Sequence, residues 1–139
     1  MASHPQLKPS LYAAVALAAA LGGGIRYSIS VAWLHAFGDG WPWPTLIVNV
    51  LGSFLIAAYW RLAGPDARSP AEIGRRSVVM AGFCGGVTTF SMFGLETLHL
   101  LDQARWASAS GYVVLTGIGA IGAAWFGLQD FRHGTSRME

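Results

Sequence analysis

The run SVVMAGFCGGVTTFSMFGLETLHLL, Ser77 to Leu101, decides how this chain is read. Its length and apolar character suit a helix that crosses the roughly 30 Å hydrocarbon core of a bilayer, for which about 20 mainly apolar residues suffice. The run is interrupted by Gly85-Gly86-Val87-Thr88-Thr89, a stretch of poor helix formers. Backbone freed from a helix at membrane depth must be satisfied by protein, water or an ion. The plainer reading is a glycine-lined site of close helix packing, and Phe90-Ser91-Met92-Phe93 stands against it. Two aromatic rings three residues apart share a helix face. Rings at that spacing are usually core, but their edges carry the positive part of the quadrupole and suit a bare anion without the grip of a fixed cation.

Outward from this run, three further segments have the same character: about 10–30, 44–60 and 106–126. The first follows Pro9, placed where a missing N–H costs nothing, and is rich in Ala and Gly for close packing. The second follows Trp41-Pro42-Trp43-Pro44 and ends at Trp60, with tryptophans at both ends as an interfacial belt places them. The polar stretch with Gly64, Pro65 and Pro70 reads as a turn, and residues 1–9 and 130–139 as short disordered tails. Of the 139 residues, 53% are hydrophobic and 12% charged, against about 25% charged in soluble domains. Lipid is the solvent that this composition demands. The expected fold is therefore an all-α membrane protein with one domain, 10–129, of four transmembrane helices, the third broken at mid-membrane.

Several classes of function drop out at this point. The single cysteine, Cys84, lies in an apolar block and supports neither a disulfide framework nor a thiolate metal site within one chain. The net charge of +2 comes without the dense Lys/Arg runs of a nucleic-acid face, so no nucleic-acid partner is expected and the basic residues read as membrane-flanking anchors. Met1 to Gly24 is not read as a removable signal, because its apolar stretch is followed by more of the same. No nucleophile with a nearby base is legible, so the chain is not read as an enzyme.

Polar residues inside the second and fourth segments recur at intervals of four: Thr45, Asn49 and Ser53, then Ser108, Tyr112 and Thr116. That spacing puts each set on one face. Either stripe alone reads as interhelical glue. Two in so small a protein point to a hydrated path, and the Asn49 amide offers two donors to an anion. Of the ionisable residues nearest membrane depth, Arg26 reads as a vestibule cation or as an end-of-helix anchor. Glu96 reads as a structural acceptor, and His4, His35, His99 and His133 receive no role.

Three strings carry a resemblance to a known family: Gly24-Ile25-Arg26-Tyr27, Thr45 through Phe54, and Gly82-Phe83-Cys84-Gly85-Gly86-Val87-Thr88-Thr89-Phe90-Ser91. The chain resembles the small Fluc (CrcB) fluoride channels over about 11–126. The resemblance implies an antiparallel dimer of four-helix chains in the plasma membrane (the inner membrane of a bacterium), with fluoride leaving passively through two pores. It implies a structural sodium ion at the interface, held by the Gly85 and Thr88 carbonyls. It also implies a pore at Asn49, Phe90 and Phe93, with Tyr112 and Thr116 as the fourth-helix track and Arg26 in the vestibule; Thr45 and Ser53 complete the polar lining. Met92 stands where that family commonly has Thr or Ser, and Gly94 where Ser is common.

Charge adds an expectation about orientation. With four spans both termini share a side, and that side carries Lys8, Arg61, Arg68, Arg75, Arg76, Arg132 and Arg137 against Arg26 and Arg105 opposite. The bias favours cytoplasmic termini, so the partner is either a second copy or an oppositely oriented homologous chain. The competing readings are a small four-helix multidrug or cation exporter and a non-transporting assembly subunit. The exporter calls for an acidic residue in the first segment, and none stands between Ser10 and Ser30.

Overall fold

The structure, a computed structural model, describes residues 8–64 and 69–129. The expected tails therefore lie outside the described residues except for Lys8, Pro9 and the chain up to Gln129, and so do Pro65 and Arg68. All the regular structure described is helical, and helices long and apolar enough to cross a membrane span Pro9–Phe37, Trp43–Ala63, Pro70–Asp102 and Trp106–Leu128. The chain is a multi-pass membrane protein.

Helix α1 (Pro9–Phe37) opens with proline at its first turn and passes the expected end at Ser30. No breaker stands in the way until Gly38, whose φ of 76° ends the helix and whose N–H bonds the Leu34 carbonyl. Helix α2 (Trp43–Ala63) closes on Gly64. Its last carbonyls, at Ala63 and Gly64, accept from the Arg76 guanidinium, which also lies 5.2 Å from the centre of the Trp60 ring. A cation at the negative end of a helix satisfies carbonyls that have no intrahelical donor.

The polar stretch before the third span is not all turn. Helix α3 (Pro70–Arg76) starts there because Ser69 and Glu72 form a reciprocal capping box, with proline at the first turn. The run continues through π-helical Ser77–Cys84 and the single turn α4 (Gly85–Val87). The backbone then leaves helical values at Thr88 (φ −80°, ψ 157°) and Thr89 (φ −151°, ψ 126°), and α5 (Phe90–Asp102) follows. The departure lies on the threonines alone, since Gly85 keeps helical angles of −63° and −33°.

The glycines serve packing. A methyl on Gly86 would fall on the Ala19 backbone, and one on Gly22 would fall on the Phe83 carbonyl and 2.8 Å from Val87 N. These two positions let α1 lie against the third span backbone to backbone, the small-residue contact that close packing in lipid favours. Helix α6 (Trp106–Leu128) packs chiefly along α2. Much of the outer surface remains apolar, including Leu17, Leu51, Ile118 and Ile121, as a lipid-facing surface requires.

Candidate functional site

Asn49 is buried on the inward face of α2 and bonds Thr89 twice. Its Nδ2 donates to the Thr89 carbonyl at 3.0 Å and its Oδ1 accepts from the Thr89 N–H at 2.8 Å. The side chain thus supplies the partners that the extended backbone has lost. One of its two amide donors is committed there, which leaves one for an anion. Thr89 Oγ1 caps α5 by accepting from Met92 N, and Thr88 Oγ1 donates back to the Cys84 carbonyl.

These bonds redirect two donors. In a continuous helix Thr89 N would serve the Gly85 carbonyl and Met92 N the Thr88 carbonyl; here they serve Asn49 Oδ1 and Thr89 Oγ1. The two carbonyls are left as oxygen acceptors, the ligand type a hard cation takes.

A cleft of about 440 Å³ opens beside the extended threonines, and its walls include Asn49, Ser53, Gly85, Thr88, Phe90, Phe93 and Thr116. Seven residues picked out in the sequence, from three separated segments, thus converge there. Thr116 Oγ1 is buried with no hydrogen-bond partner among the described residues, which makes it a candidate group for a polar occupant. The phenyl rings of Phe90 and Phe93 are 5.8 Å apart; Phe93 is half-buried, whereas Phe90 is 85% exposed and points away from its own chain.

Thr45 and Tyr112 do not join the cleft wall. Both donate to the Glu96 carboxylate, Thr45 at 2.9 Å and Tyr112 at 2.7 Å, so Glu96 binds α2 and α6 to α5. This acceptor role is the one the sequence suggested, but that its donors are two of the stripe residues was not legible, because the contact crosses three helices. Ser108 is half-buried on the same face of α6. Arg26 lies outside the cleft, and its Nε is buried without a partner among the described residues. Beyond the Glu96 layer, toward the α1–α2 loop, a second cavity of about 430 Å³ is lined by Trp33, Asp39, Trp41, Glu96, His99 and Arg105. Trp41 was read only as a belt residue and Cys84 only as part of an apolar block, and Gly52, also in the cleft wall, received no role of its own.

The family described as CrcB-like protein, Camphor Resistance (CrcB), matches residues 13–128, nearly the whole membrane part. The chain belongs to the CrcB family. Among curated CrcB relatives, the fluoride-specific ion channel FluC 1 of Rhodopseudomonas palustris (strain BisB18) is 42% identical over 120 residues, covering 86% of this chain and 85% of that protein. The fluoride-specific ion channel FluC of Opitutus terrae is 42% identical over 118 residues, with 85% and 89% covered. That of Rhodospirillum rubrum is 40% identical over 116 residues, with 84% and 90% covered. In CrcB terms the matched region takes in the cleft, the extended threonines and the Glu96 layer.

Proposed function

We infer that this protein is a fluoride-selective channel that lets cytoplasmic fluoride leave passively across the plasma membrane and so lowers its toxicity. The observation that carries this reading is the 42% identity, over 86% of the chain, to a relative named for fluoride-specific conduction. The cleft supplies chemistry that fits. Fluoride holds its hydration shell tightly, so a path must replace that shell with several weak contacts that also release the ion. The remaining Asn49 donor, the Ser53 and Thr116 hydroxyls and the ring edges of Phe90 and Phe93 are contacts of that kind, and Arg26 would raise the anion concentration at one entrance. The exporter and assembly-subunit readings are set aside on the family.

The active unit in this reading is an antiparallel dimer, either of two copies or with an oppositely oriented homologue, joined at a mid-membrane break of the third helix at Thr88 and Thr89. The exposure of Phe90 supports it, since a pore ring facing away from its own chain needs a second chain as the opposite wall. The carbonyls of Gly85 and Thr88, deprived of helical donors, suit a sodium ion shared across the interface. When bound, it would supply positive charge to these oxygens, whose usual helical donors serve Asn49 Oδ1 and Thr89 Oγ1 instead.

Phe90 and Phe93 give the direct test of the pore. Replacement by Ile keeps an apolar side chain and removes the electropositive ring edge; a volume-reducing change at half-buried Phe93 costs about a few kcal/mol at most and one at exposed Phe90 less, which a stable assembly survives. Phe93→Ile, and also Phe90→Ile, should slow fluoride efflux from liposomes by at least the order of tenfold, while chloride passes poorly throughout. Intact variants carrying fluoride at the parental rate would show that the rings are packing alone.

A further inference from the structure

Five aromatic rings form a continuous column from the extended threonines to the α1–α2 loop. Phe90 meets Phe93, whose ring centre is 5.2 Å from that of Tyr112; Tyr112 meets Trp41 at 5.3 Å with planes 79° apart, and Trp41 meets Trp43 at 4.4 Å with planes tilted by 55°. Tyr112 is fully buried, and Trp41 and Phe93 both pack on its cluster. The three rings have different surroundings. Phe93 lines the inner cleft, Tyr112 is tied to Glu96, and Trp41 lines the outer cavity. Trp41 stands on no helix; its carbonyl accepts from Trp43 N, and its indole packs on Tyr112 and the cluster around it.

We propose that Trp41 is a specificity-determining residue, the outer wall that fixes the Tyr112 and Phe93 rings and keeps the outer cavity from merging with the inner cleft. The inference rests on the reading of the chain as a fluoride channel. Fluoride and chloride differ mainly in size and in how tightly they hold water, so a path separates them only while its walls keep their spacing. An edge-to-face ring contact sets such a spacing through the ring quadrupoles. Without the indole, Tyr112 loses the group covering it on the loop side. Water from the outer cavity then passes the Glu96 layer toward the inner cleft, and the rings gain room to accommodate a larger hydrated anion.

The test is the ratio of fluoride to chloride efflux from liposomes holding the full chain, measured on one preparation for the parent and for Trp41→Ala, Trp41→Leu and Trp41→Phe. A loss of folded protein scales both fluxes together and leaves the ratio unmoved, so the ratio reports selectivity and not yield. The Ala and Leu variants should lose on the order of tenfold in the ratio, and Phe should keep it, because a phenyl ring still meets Tyr112. Leu retains apolar bulk and carries the test if Ala does not assemble. A parental ratio in Ala or Leu overturns the proposal, as does a Phe variant that falls as far as they do. A parent that passes no fluoride, either alone or with an oppositely oriented homologue, overturns the channel reading itself, and this proposal with it.

Discussion

Asn49 is the residue on which the site turns, because one amide satisfies both the N–H and the C=O of Thr89. Removing it deprives two part-buried backbone groups of their partner, each at a cost of about 1–3 kcal/mol where nothing replaces the bond. Asn49→Ala should therefore lower the melting temperature of the purified protein by several degrees and reduce fluoride flux together with it. An unchanged melt would show that water or a neighbour takes over the bonds. Asn49 drew notice in the sequence as an amide within an apolar helix, but its partner did not, since Thr89 is 40 positions away and the contact depends on how α2 packs on the third span. Trp41 illustrates the opposite difficulty. Its local pattern, Trp-Pro-Trp-Pro, already had a sufficient explanation in the membrane interface, and nothing in the sequence placed it against Tyr112.

Among the elements, the third span carried most of the sequence signal and also the largest correction. Its apolar run and the weak helix formers after Cys84 were legible. That the glycines keep helical angles while Thr88 and Thr89 leave them was not, because both pairs are poor helix formers and only packing separates their roles. Glycine is needed where α1 presses in, and threonine where Asn49 and the α5 cap give the backbone other partners. The start at Pro70 was missed although the Ser69–Glu72 capping box was present in the sequence; the prolines and charges around it drew a turn reading. If the redirected Gly85 and Thr88 carbonyls hold sodium, long incubation with a large organic cation in its place should reduce transport. Undiminished fluoride flux after proven loss of sodium would remove the ion from the account.

For the whole molecule, the described basic residues collect by end. Arg61 lies in the last turn of α2 and Arg75 and Arg76 in the last turn of α3, near the start of α1, where Leu11 meets Gly74; Arg105 lies at the opposite end, donating to the Gly40 carbonyl. Arg68, Arg132 and Arg137, which strengthen the same bias in the sequence, lie outside the described residues. Positive residues are retained on the cytoplasmic side, so most copies expressed alone should insert with both termini in the cytoplasm. A cysteine added at the C-terminus should then resist labelling from outside, whereas equal labelling from both sides would favour a homodimer whose copies insert either way. The four spans were legible from hydropathy and length, while the exposure of Phe90 was not, because it emerges only once the helices are packed. The central claim is conduction of fluoride by this protein, and it is tested most directly by fluoride efflux from liposomes reconstituted with this chain and no other protein. The account predicts rapid fluoride release with little chloride release. Liposomes that contain folded protein in either orientation, alone or with an oppositely oriented homologue, and still retain their fluoride would contradict it.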